Sequence, residues 1–447
     1  MGHDAAGAVN KRYTISVTTL GCRVNQYESL SFTEGLKAYG IDVVRPGESC
    51  NAAIVNTCTV TAESDRKSRQ MIRRAASYAD HVIVTGCFAQ ISADTASAID
   101  KVTYVCGNGG KASLADTVYA ILTGTYGGDK NNVGAPDGYD VVEMTTSQPE
   151  RTRSYIKIED GCENRCAYCI IPKARGPVRS KKPETVLEEA KALAAAGCRE
   201  VILTGIETAS YGMDFEGRQP YGHRLAELIG EIASVDGIER IGLGSLEPTV
   251  MSDYFVGKLA STPKILPHFH LSIQSGCSRT LAEMKRRYNA DMARTAIRRM
   301  RTAMPDVTFS CDVIVGFPGE TEEDFAETLE FCREARFLHM HIFPYSKRAG
   351  TVAAERKDQV PENIKHDRLV RLETIGREVK REILDDYVEK HRETPVYVLV
   401  EKSDSSTAVG HSEHYFEVRV PDCSAEAGDI LAVRLDGHDG ETVTGHI

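Results

Sequence analysis

Three cysteines lie close together in the middle of the chain, directly after a run that is typical of a β-strand. The run SYIKIED ends at Asp160, and Cys162, Cys166 and Cys169 follow in the spacing C-x3-C-x2-C. Three thiolates on one tight loop suit a [4Fe–4S] cluster that leaves its fourth iron without a protein ligand. A zinc site with a distant histidine as fourth ligand is the alternative. Either site requires a scaffold that presents this loop at the end of a strand.

The middle region, from about residue 151 to residue 345, alternates strand-like runs with helical stretches. Six β/α units of this kind predict a partial (β/α)6 barrel. In such scaffolds the loops after the strands carry the chemistry, and the cysteine loop follows the first strand. The six runs are SYIKIED, REVILTG, RIGLGSLEP, HFHLSIQSG, TFSCDVIVGFPGE and FLHMHIFPYS.

The regions on either side show different patterns. Upstream, four β-rich runs alternate with helical patterns and predict a parallel α/β sheet. Downstream, TPVYVLVEK, HYFEVRVP and DILAVRLDG alternate with period two and predict a small all-β domain. The predicted fold class is therefore α/β with an all-β terminal domain. The predicted divisions are an N-terminal domain at 12–123, a linker at 124–147, a central domain at 148–378 and a terminal domain at 379–447.

Three further cysteines, Cys22, Cys58 and Cys87, each follow an apolar β-rich run of the upstream region. Because the carboxyl ends of parallel strands share one edge of a sheet, we expect these thiols to meet there and to hold a second metal site. The alternative is three independent core residues, since free cysteine is often buried. Cys106 also follows a strand, and we interpret it as a packing residue rather than a fourth ligand.

Composition excludes several classes of protein. Thirteen cysteines, an odd number, argue against a disulfide framework and favour metal binding. The sequence has no run of eighteen apolar residues and no export signal, which predicts a cytoplasmic protein without a membrane partner.

The net charge of −10 argues against wholesale coating of nucleic acid. Two segments are nonetheless basic, as phosphate binding would require: 151–182 has nine Lys and Arg against three acids, and 279–301 has eight against two.

The C-x3-C-x2-C loop resembles the hallmark of the radical S-adenosylmethionine (SAM) superfamily. The resemblance implies that Cys162, Cys166 and Cys169 ligate a [4Fe–4S] cluster whose open iron binds the amino and carboxylate groups of SAM. It also implies that one electron cleaves SAM to methionine and a 5′-deoxyadenosyl radical. Residues near or after the predicted strands match positions that contact SAM in that superfamily. These are Tyr168, Gly205, Glu207, Ser272, Gln274, Val315 and Gly316.

A second three-cysteine site ahead of such a domain is the arrangement of the methylthiotransferases. TLGCRVNQYES around Cys22, NTCTVT around Cys58, ARGPVRS, LGSLEP and FPYS resemble the branch that modifies threonylcarbamoyladenosine in tRNA, the MtaB family. Two related branches carry Gln-Met-Asn or Pro-Lys-Asn where this chain has Arg23-Val24-Asn25. Lys is commoner than Arg23 in the MtaB branch, and the departure keeps the charge.

The resemblance implies an enzyme that transfers a methylthio group to C2 of N6-threonylcarbamoyladenosine at tRNA position 37. Its implied cofactors are SAM and two [4Fe–4S] clusters, one of them at Cys22, Cys58 and Cys87. No side-chain acid or base activates such an aromatic C–H, so we assign no catalytic residue beyond the cluster ligands. The alternatives are the same chemistry on isopentenyladenosine in tRNA or on a ribosomal-protein aspartate, and a non-catalytic RNA-binding protein that contains zinc. The electron donor and the sulfur donor are not identified by the sequence.

The predicted partner is the anticodon loop of tRNA, because exposed single-stranded bases are what proteins read in RNA. On the terminal β-domain, which is similar to the TRAM module, Tyr415 or Phe416 is a candidate for stacking on a base. The candidate RNA-contacting cations are Arg175, Arg179, Arg286 and Arg287.

Overall fold

The computed structural model describes residues 12–136, 152–404 and 406–447. Internal contacts divide the chain into two compact units, and each is described by itself below. Three residues that the sequence places in the central domain pack with the N-terminal unit. The units are Met1–Met144 with Lys173–Arg175, and Thr145–Pro172 with Gly176–Ile447.

The first unit contains a six-stranded parallel sheet in the order β2-β1-β3-β4-β5-β6, which confirms the predicted parallel α/β sheet. The two central strands are buried over most of their length, as expected for a parallel sheet that is covered on both faces. The strands are β1 (Thr14–Thr19), β2 (Asp42–Val43), β3 (Cys50–Thr57), β4 (Ala79–Gly86), β5 (Val102–Cys106) and β6 (Asn131–Asn132). The helices are α1 (Arg23–Ala38), α2 (Ala62–Ala76), α3 (Cys87–Ile91), α4 (Ala93–Ser97) and α5 (Leu114–Thr123).

Strand β6 lies inside the predicted linker at 124–147. Asn131 and Asn132 pair with Val105 and Cys106 of β5 and extend the sheet by one edge strand. Two consecutive asparagines are typical of a turn, and a two-residue edge strand is too short to produce an alternating pattern. The rest of the predicted linker, from residue 137, lies outside the described residues.

The second unit opens with six parallel strands in chain order, β7, β10, β11, β12, β13 and β14. They form two three-stranded sheets, and an isolated parallel bridge between Leu246 and Leu271 connects the two halves. No ladder within the described ranges joins β7 to β14, so the barrel is partial, as predicted. The strands are β7 (Arg153–Lys157), β8 (Glu159–Asp160), β9 (Arg179–Ser180), β10 (Glu200–Thr204), β11 (Arg240–Leu243), β12 (His268–Gln274), β13 (Thr308–Val315) and β14 (His339–Pro344).

Helices cover the outer face of these strands and bury a continuous apolar core. Apolar side chains of the strands pack there against helical residues such as Leu225, Ile229 and Phe325. Burial of that surface is the main force that holds the barrel together. The short helix α6 (Ile171–Arg175) comes first in the chain, and its residues Lys173–Arg175 belong to the first unit. The covering helices are α7 (Pro183–Ala195), α8 (His223–Ala233), α9 (Asp253–Ala260), α10 (Ser278–Glu283), α11 (Ala290–Ala303) and α12 (Glu322–Ala335).

A long helix, α13 (Glu362–Lys390), runs from the barrel core into a closed five-stranded β-barrel. Leu372 packs in the core of the partial barrel, whereas Leu384 and Val388 pack in that of the terminal barrel. The predicted boundary at 378/379 therefore falls inside one continuous helix. No described helix is long and apolar enough to cross a bilayer. The terminal strands are β15 (Val396–Ser403), β16 (Thr407–Ser412), β17 (Glu417–Pro421), β18 (Ile430–His438) and β19 (Val443–His446).

Candidate functional site: two cysteine trios at the ends of parallel strands

The central cysteine loop begins at a glycine that no other residue can replace without movement of the backbone. Gly161 has a φ of +88°, and a Cβ built on it would lie 1.8 Å from the carbonyl oxygen of Pro177. The next residue is fixed by a hydrogen bond from the Cys162 amide to the carbonyl of Gly176, 3.0 Å away. The loop therefore leaves its strand along one defined path.

The thiols of the central loop lie within electrostatic range of one another. Cys162, Cys166 and Cys169 are each partly buried. Burial raises the pKa of Cys162 most, followed by the nearby carboxylate of Glu207, and Cys169 and Cys166 raise it further. Three thiolates crowded in this way are stable only next to a cation, because like charges oppose ionisation. This donor set fits an iron–sulfur cluster held by three cysteines.

Arg286 lies beside this loop and is not an exposed cation. Its Nη1 donates to Cys166 Sγ at 3.3 Å, and its Nη2 lies 3.2 Å from both the Ser272 carbonyl oxygen and Glu247 Oε2. Only 5% of its side chain is exposed. A guanidinium that binds phosphate must reach solvent, and Arg286 does not do so in this structure, so its contact with RNA stays a prediction. The neighbouring Arg287 is exposed and remains a candidate.

Glu207 is held by a buried carboxylate that the sequence interpretation missed. Glu159 Oε2 accepts the amide hydrogens of Ile206 and Glu207, at 2.8 and 3.0 Å. A Cβ on Gly205 would lie 2.4 Å from the same oxygen, so the backbone must approach this carboxylate closely. The sequence shows Glu159 only as one of several polar residues in the run SYIKIED, and its complete burial, which requires a specific partner, appears only in the structure.

Glu207 and Glu247 form an acidic corner next to the cysteine loop. The Nδ2 of Asn164, which lies inside the loop, is 3.4 Å from Glu207 Oε2 and 3.3 Å from Glu247 Oε2. Glu207 Oε1 accepts a hydrogen bond from the Tyr221 hydroxyl at 2.8 Å. Burial, reinforced by the charge of Glu247, raises the pKa of Glu207 to about 7. Such a corner suits the ammonium group of an amino acid, which is the role predicted for Glu207.

The other predicted SAM contacts also lie at or near the carboxyl ends of the strands. The carbonyl of Ser272 accepts hydrogen bonds from Arg286 and from the Tyr288 hydroxyl. Gln274 is nearly buried and has a φ of +62°, at a register shift between β12 and β13. Val315 is fully buried, so its side chain packs in the core.

Gly316 and Tyr168 frame the same end of the barrel. The Gly316 amide donates to Glu320 Oε2 at 2.6 Å, which fixes the turn after β13. Tyr168 is partly buried, and its ring meets Phe317 edge to face, with ring centroids 6.5 Å apart. Each predicted contact thus lies on the strand ends that also present the cysteine loop.

The N-terminal cysteines converge in the first unit. A Cβ on Gly21 would lie 3.0 Å from Cys58 Sγ, so residue 22 begins next to that thiol. Burial raises the pKa of Cys58, and the proximity of Cys87 and Cys22 raises it further. Cys22 is accessible to solvent but densely surrounded by protein, and this desolvation raises its pKa. The donor set again fits a cluster that is held by three thiolates.

Cys106 packs in the hydrophobic core of the first unit. It is fully buried in a hydrophobic cluster with Tyr104 and Leu114, and its thiol donates to the carbonyl of Gly107 at 3.3 Å. No group of three or more His, Cys, Asp or Glu side chains in the described part of the chain has the geometry for a single metal ion. The assignment of both trios therefore rests on donor chemistry and on their place at strand ends.

Two more predicted RNA contacts are buried. Arg175 is fully buried, and its Nη1 pairs with Glu28 Oε1 at 2.7 Å. Arg179 is 7% exposed, lies 3.5 Å from Asp160 and donates to the Pro177 carbonyl. Both side chains are thus engaged within the protein, and their contact with RNA stays a prediction. The sequence shows a local excess of positive charge but not the carboxylates that fold against it.

The two aromatic residues that are predicted to stack on a base pack against other rings of the protein. Phe416 is buried and stacks on Tyr387, with ring centroids 3.6 Å apart. Tyr415 stacks on His268 of β12 at 4.5 Å. Tyr415 is partly buried, whereas Tyr397 is 54% exposed. The alternating pattern identifies aromatic positions, but packing against α13 and against the partial barrel decides which of them remain exposed.

Comparisons with known proteins agree with this architecture. The model of the radical SAM superfamily matches residues 156–332, and the model of the uncharacterized protein family UPF0004 matches residues 14–107. A solved radical SAM methyltransferase, TsrM from Kitasatospora setae, is similar in fold, with a TM-score of 0.57 and 15% identity over 77% of each chain. This likeness supports the fold assignment alone.

Curated relatives identify the family. Several bear the name threonylcarbamoyladenosine tRNA methylthiotransferase MtaB, including that of Bacillus subtilis (strain 168), which is 36% identical over 94% of this chain and 93% of its own length. A ribosomal protein uS12 methylthiotransferase, RimO of Desulfitobacterium hafniense (strain Y51), is 32% identical over 98% of this chain and 99% of its own. The chain belongs to the radical SAM methylthiotransferases, in the MtaB family.

Proposed function

We propose that this protein methylthiolates C2 of N6-threonylcarbamoyladenosine at position 37 of tRNA. The observation that carries the proposal is the pair of cysteine trios, each at the carboxyl ends of parallel strands. One trio has the acidic corner of Glu207 and Glu247 beside it. Similarity to proteins named for this reaction supports the choice of acceptor.

The two trios would hold the clusters, and the acidic corner would hold SAM. When bound, the clusters and SAM supply the electron, the radical and the sulfur that a methylthio transfer to an aromatic carbon requires. Asn164 keeps both carboxylates directed to the same point, and Glu159 fixes the backbone that carries Glu207. The buried Phe317 and the partly buried Tyr168 form an apolar wall that excludes water from this end of the barrel.

Recognition of the anticodon loop is assigned to cations that remain exposed. Arg287 and Arg165 are exposed beside the cysteine loop, unlike Arg175, Arg179 and Arg286. A single-stranded loop places its bases within reach of such side chains, whereas a duplex hides them. Truncation of Arg287 should therefore weaken tRNA binding in a salt-dependent manner while leaving the iron content unchanged.

Mass spectrometry of tRNA nucleosides tests the acceptor. A strain without this gene should accumulate unmodified threonylcarbamoyladenosine and lose its 2-methylthio form. The wild-type gene should restore the product, and a Cys22→Ala variant should not. An unchanged threonylcarbamoyladenosine pool, with loss of methylthio-isopentenyladenosine or of a methylthio-aspartate on a ribosomal protein, would assign the chain to another acceptor.

Iron content tests the two-cluster arrangement separately. We expect a Cys162/Cys166/Cys169→Ala variant, reconstituted without oxygen, to retain roughly half the iron and acid-labile sulfide of the wild type, because the other cluster has its own ligands. The complementary Cys22/Cys58/Cys87→Ala variant should also retain roughly half. Zinc in place of iron in the wild-type protein would favour the non-catalytic RNA-binding protein instead.

A further inference from the structure

One of the N-terminal cysteines receives hydrogen bonds from two buried side chains. Arg175 Nε donates to Cys87 Sγ at 3.3 Å, and Asn108 Nδ2 lies 3.7 Å from the same sulfur. The Asn108 amide also donates to the carbonyl of Ala174 at 2.7 Å, which ties it to the segment that carries Arg175. All of these residues belong to the first unit.

The guanidinium of Arg175 is held rigidly. Its Nη1 donates to Glu28 Oε1 at 2.7 Å, and its Nη2 donates to Asn25 Oδ1 at 2.5 Å. Lys111 pairs with the other oxygen of Glu28, so two cations converge on one carboxylate. The side chains of Arg175, Glu28 and Lys111 are at most 2% exposed. A planar guanidinium fixed at two edges keeps its third edge on the sulfur.

Such a residue has a chemical reason to be there. Burial of a charged side chain is strongly unfavourable unless partners compensate, so packing alone does not explain an arginine at this position. A hydrogen bond to a ligand sulfur stabilises negative charge on a thiolate-held cluster. A reduced cluster carries one more electron than the oxidised form and gains more from the same donor.

We propose that Arg175 is a positioning residue that sets the reduction potential of the cluster at Cys22, Cys58 and Cys87, holding it more positive through its contact with Cys87. The inference rests on the proposed function, in which this trio holds a cluster. Arg175 thus acts on the redox chemistry of the N-terminal cluster through a ligand of that cluster, rather than by contact with RNA.

The test is a reductive titration with dithionite, followed by electron paramagnetic resonance. The Cys162/Cys166/Cys169→Ala background leaves only the N-terminal cluster to be observed. In that background Arg175→Gln should lower the equilibrium constant for one-electron reduction at least tenfold, which corresponds to about 59 mV. Arg175→Lys keeps the charge but not the planar donor, and it should recover only part of the loss.

A matched control removes a buried cation elsewhere. Lys181 is 1% exposed and pairs with Glu189 at 2.6 Å in the second unit. Lys181→Gln should leave the potential of the N-terminal cluster unchanged. If Arg175→Gln and Lys181→Gln give the same potential, the inference about Arg175 is wrong.

A last set of measurements separates failure of this inference from failure of the proposed function. A background protein that binds no iron at all would contradict the two-cluster arrangement itself. Arg175→Gln alone can fail to fold because it leaves Glu28 with one cation fewer. In that case the triple variant Arg175→Gln/Glu28→Gln/Lys111→Met is used, which removes all three buried charges together. This variant should still have a lower equilibrium constant for one-electron reduction than the background protein. An unchanged constant in a folded, iron-containing variant would overturn the proposal.

Discussion

Several charged side chains lie next to the cysteines of the two trios, and most of these charged side chains are buried. Arg175, Arg286 and Glu207 have partners that lie between 14 and 150 residues away in the chain. A positive residue in a basic segment is expected on the surface. It becomes buried when the fold places a carboxylate beside it, as Glu28 lies beside Arg175. At this scale the chemistry of each site depends on pairs that form after folding.

Gly161 gives a prediction for a single position. Gly161→Ala should lower the free energy of unfolding by at least about 2 kcal/mol, because the new Cβ meets the Pro177 carbonyl and the left-handed backbone is strained. Gly197 is the control: its φ is +89°, and a Cβ there would meet nothing within 4 Å. Urea unfolding of the cluster-free proteins measures both, and equal losses would show that the close contact is not important.

Glu207 gives a pH-dependent prediction. Its pKa is raised to about 7 by burial first and by Glu247 second. A raised acid pKa in the folded state stabilises the fold at low pH, and this contribution is lost as pH rises from about 4.5 through 7. The Glu207→Gln variant does not titrate at this position and does not lose this stability. The free energy of unfolding of the variant minus that of the wild type should therefore increase by about 1–3 kcal/mol from pH 5 to pH 8. Urea unfolding of cluster-free protein at the two pH values measures this, and a constant difference would contradict it.

At the scale of elements, the ends of helices and strands follow local sequence rules. Helix α12 begins with a capping box, in which the Thr321 side chain accepts from the Asp324 amide and the Asp324 carboxylate accepts from the Thr321 amide. Both partners are three residues apart, so this boundary is readable from sequence. Strand β6 is the opposite case, because only pairing with β5 makes it a strand.

The capping box predicts a modest effect on stability. Thr321→Ala should lower the free energy of unfolding by about 1 kcal/mol, since one amide at the start of α12 loses its acceptor. Thr321→Ser keeps the hydroxyl and should remain within about 0.5 kcal/mol of the wild type. Chemical denaturation of the three proteins provides the comparison. A larger loss in the serine variant than in the alanine variant would refute the role of the cap.

At the scale of the second unit, buried charges attach the terminal barrel to the partial barrel. Arg240 of β11 pairs with Glu200 of β10 at 2.9 Å, and its two terminal nitrogens donate to carbonyls of Tyr397, His411 and Ser412. Helix α13 joins the same two cores covalently. The terminal barrel is thus held by polar contacts as well as by the helix.

Loss of Arg240 should loosen that attachment. Arg240→Met leaves Glu200 with Arg153 alone and removes the donors to the three carbonyls, at a cost of about 3–5 kcal/mol. Hydrogen exchange of β15 and β16 should become faster, whereas the exposed pair Arg336–Asp386 can be removed for less than about 1 kcal/mol. Unchanged exchange in both strands would show that α13 alone holds the barrel.

The sequence by itself determined the alternation of strands and helices, the partial barrel, the terminal β-barrel and the two cysteine trios. These features depend on the local periodicity of apolar residues and on the rule that the carboxyl ends of parallel strands lie at one edge of the sheet. Both can be applied to short segments of the sequence. Only the tertiary structure decided that Arg175, Arg179 and Arg286 are buried, that Glu159 supports Glu207, and that Phe416 packs on Tyr387. Burial and ion pairing join residues far apart in the chain, and a local pattern of charge or polarity carries no information about such partners.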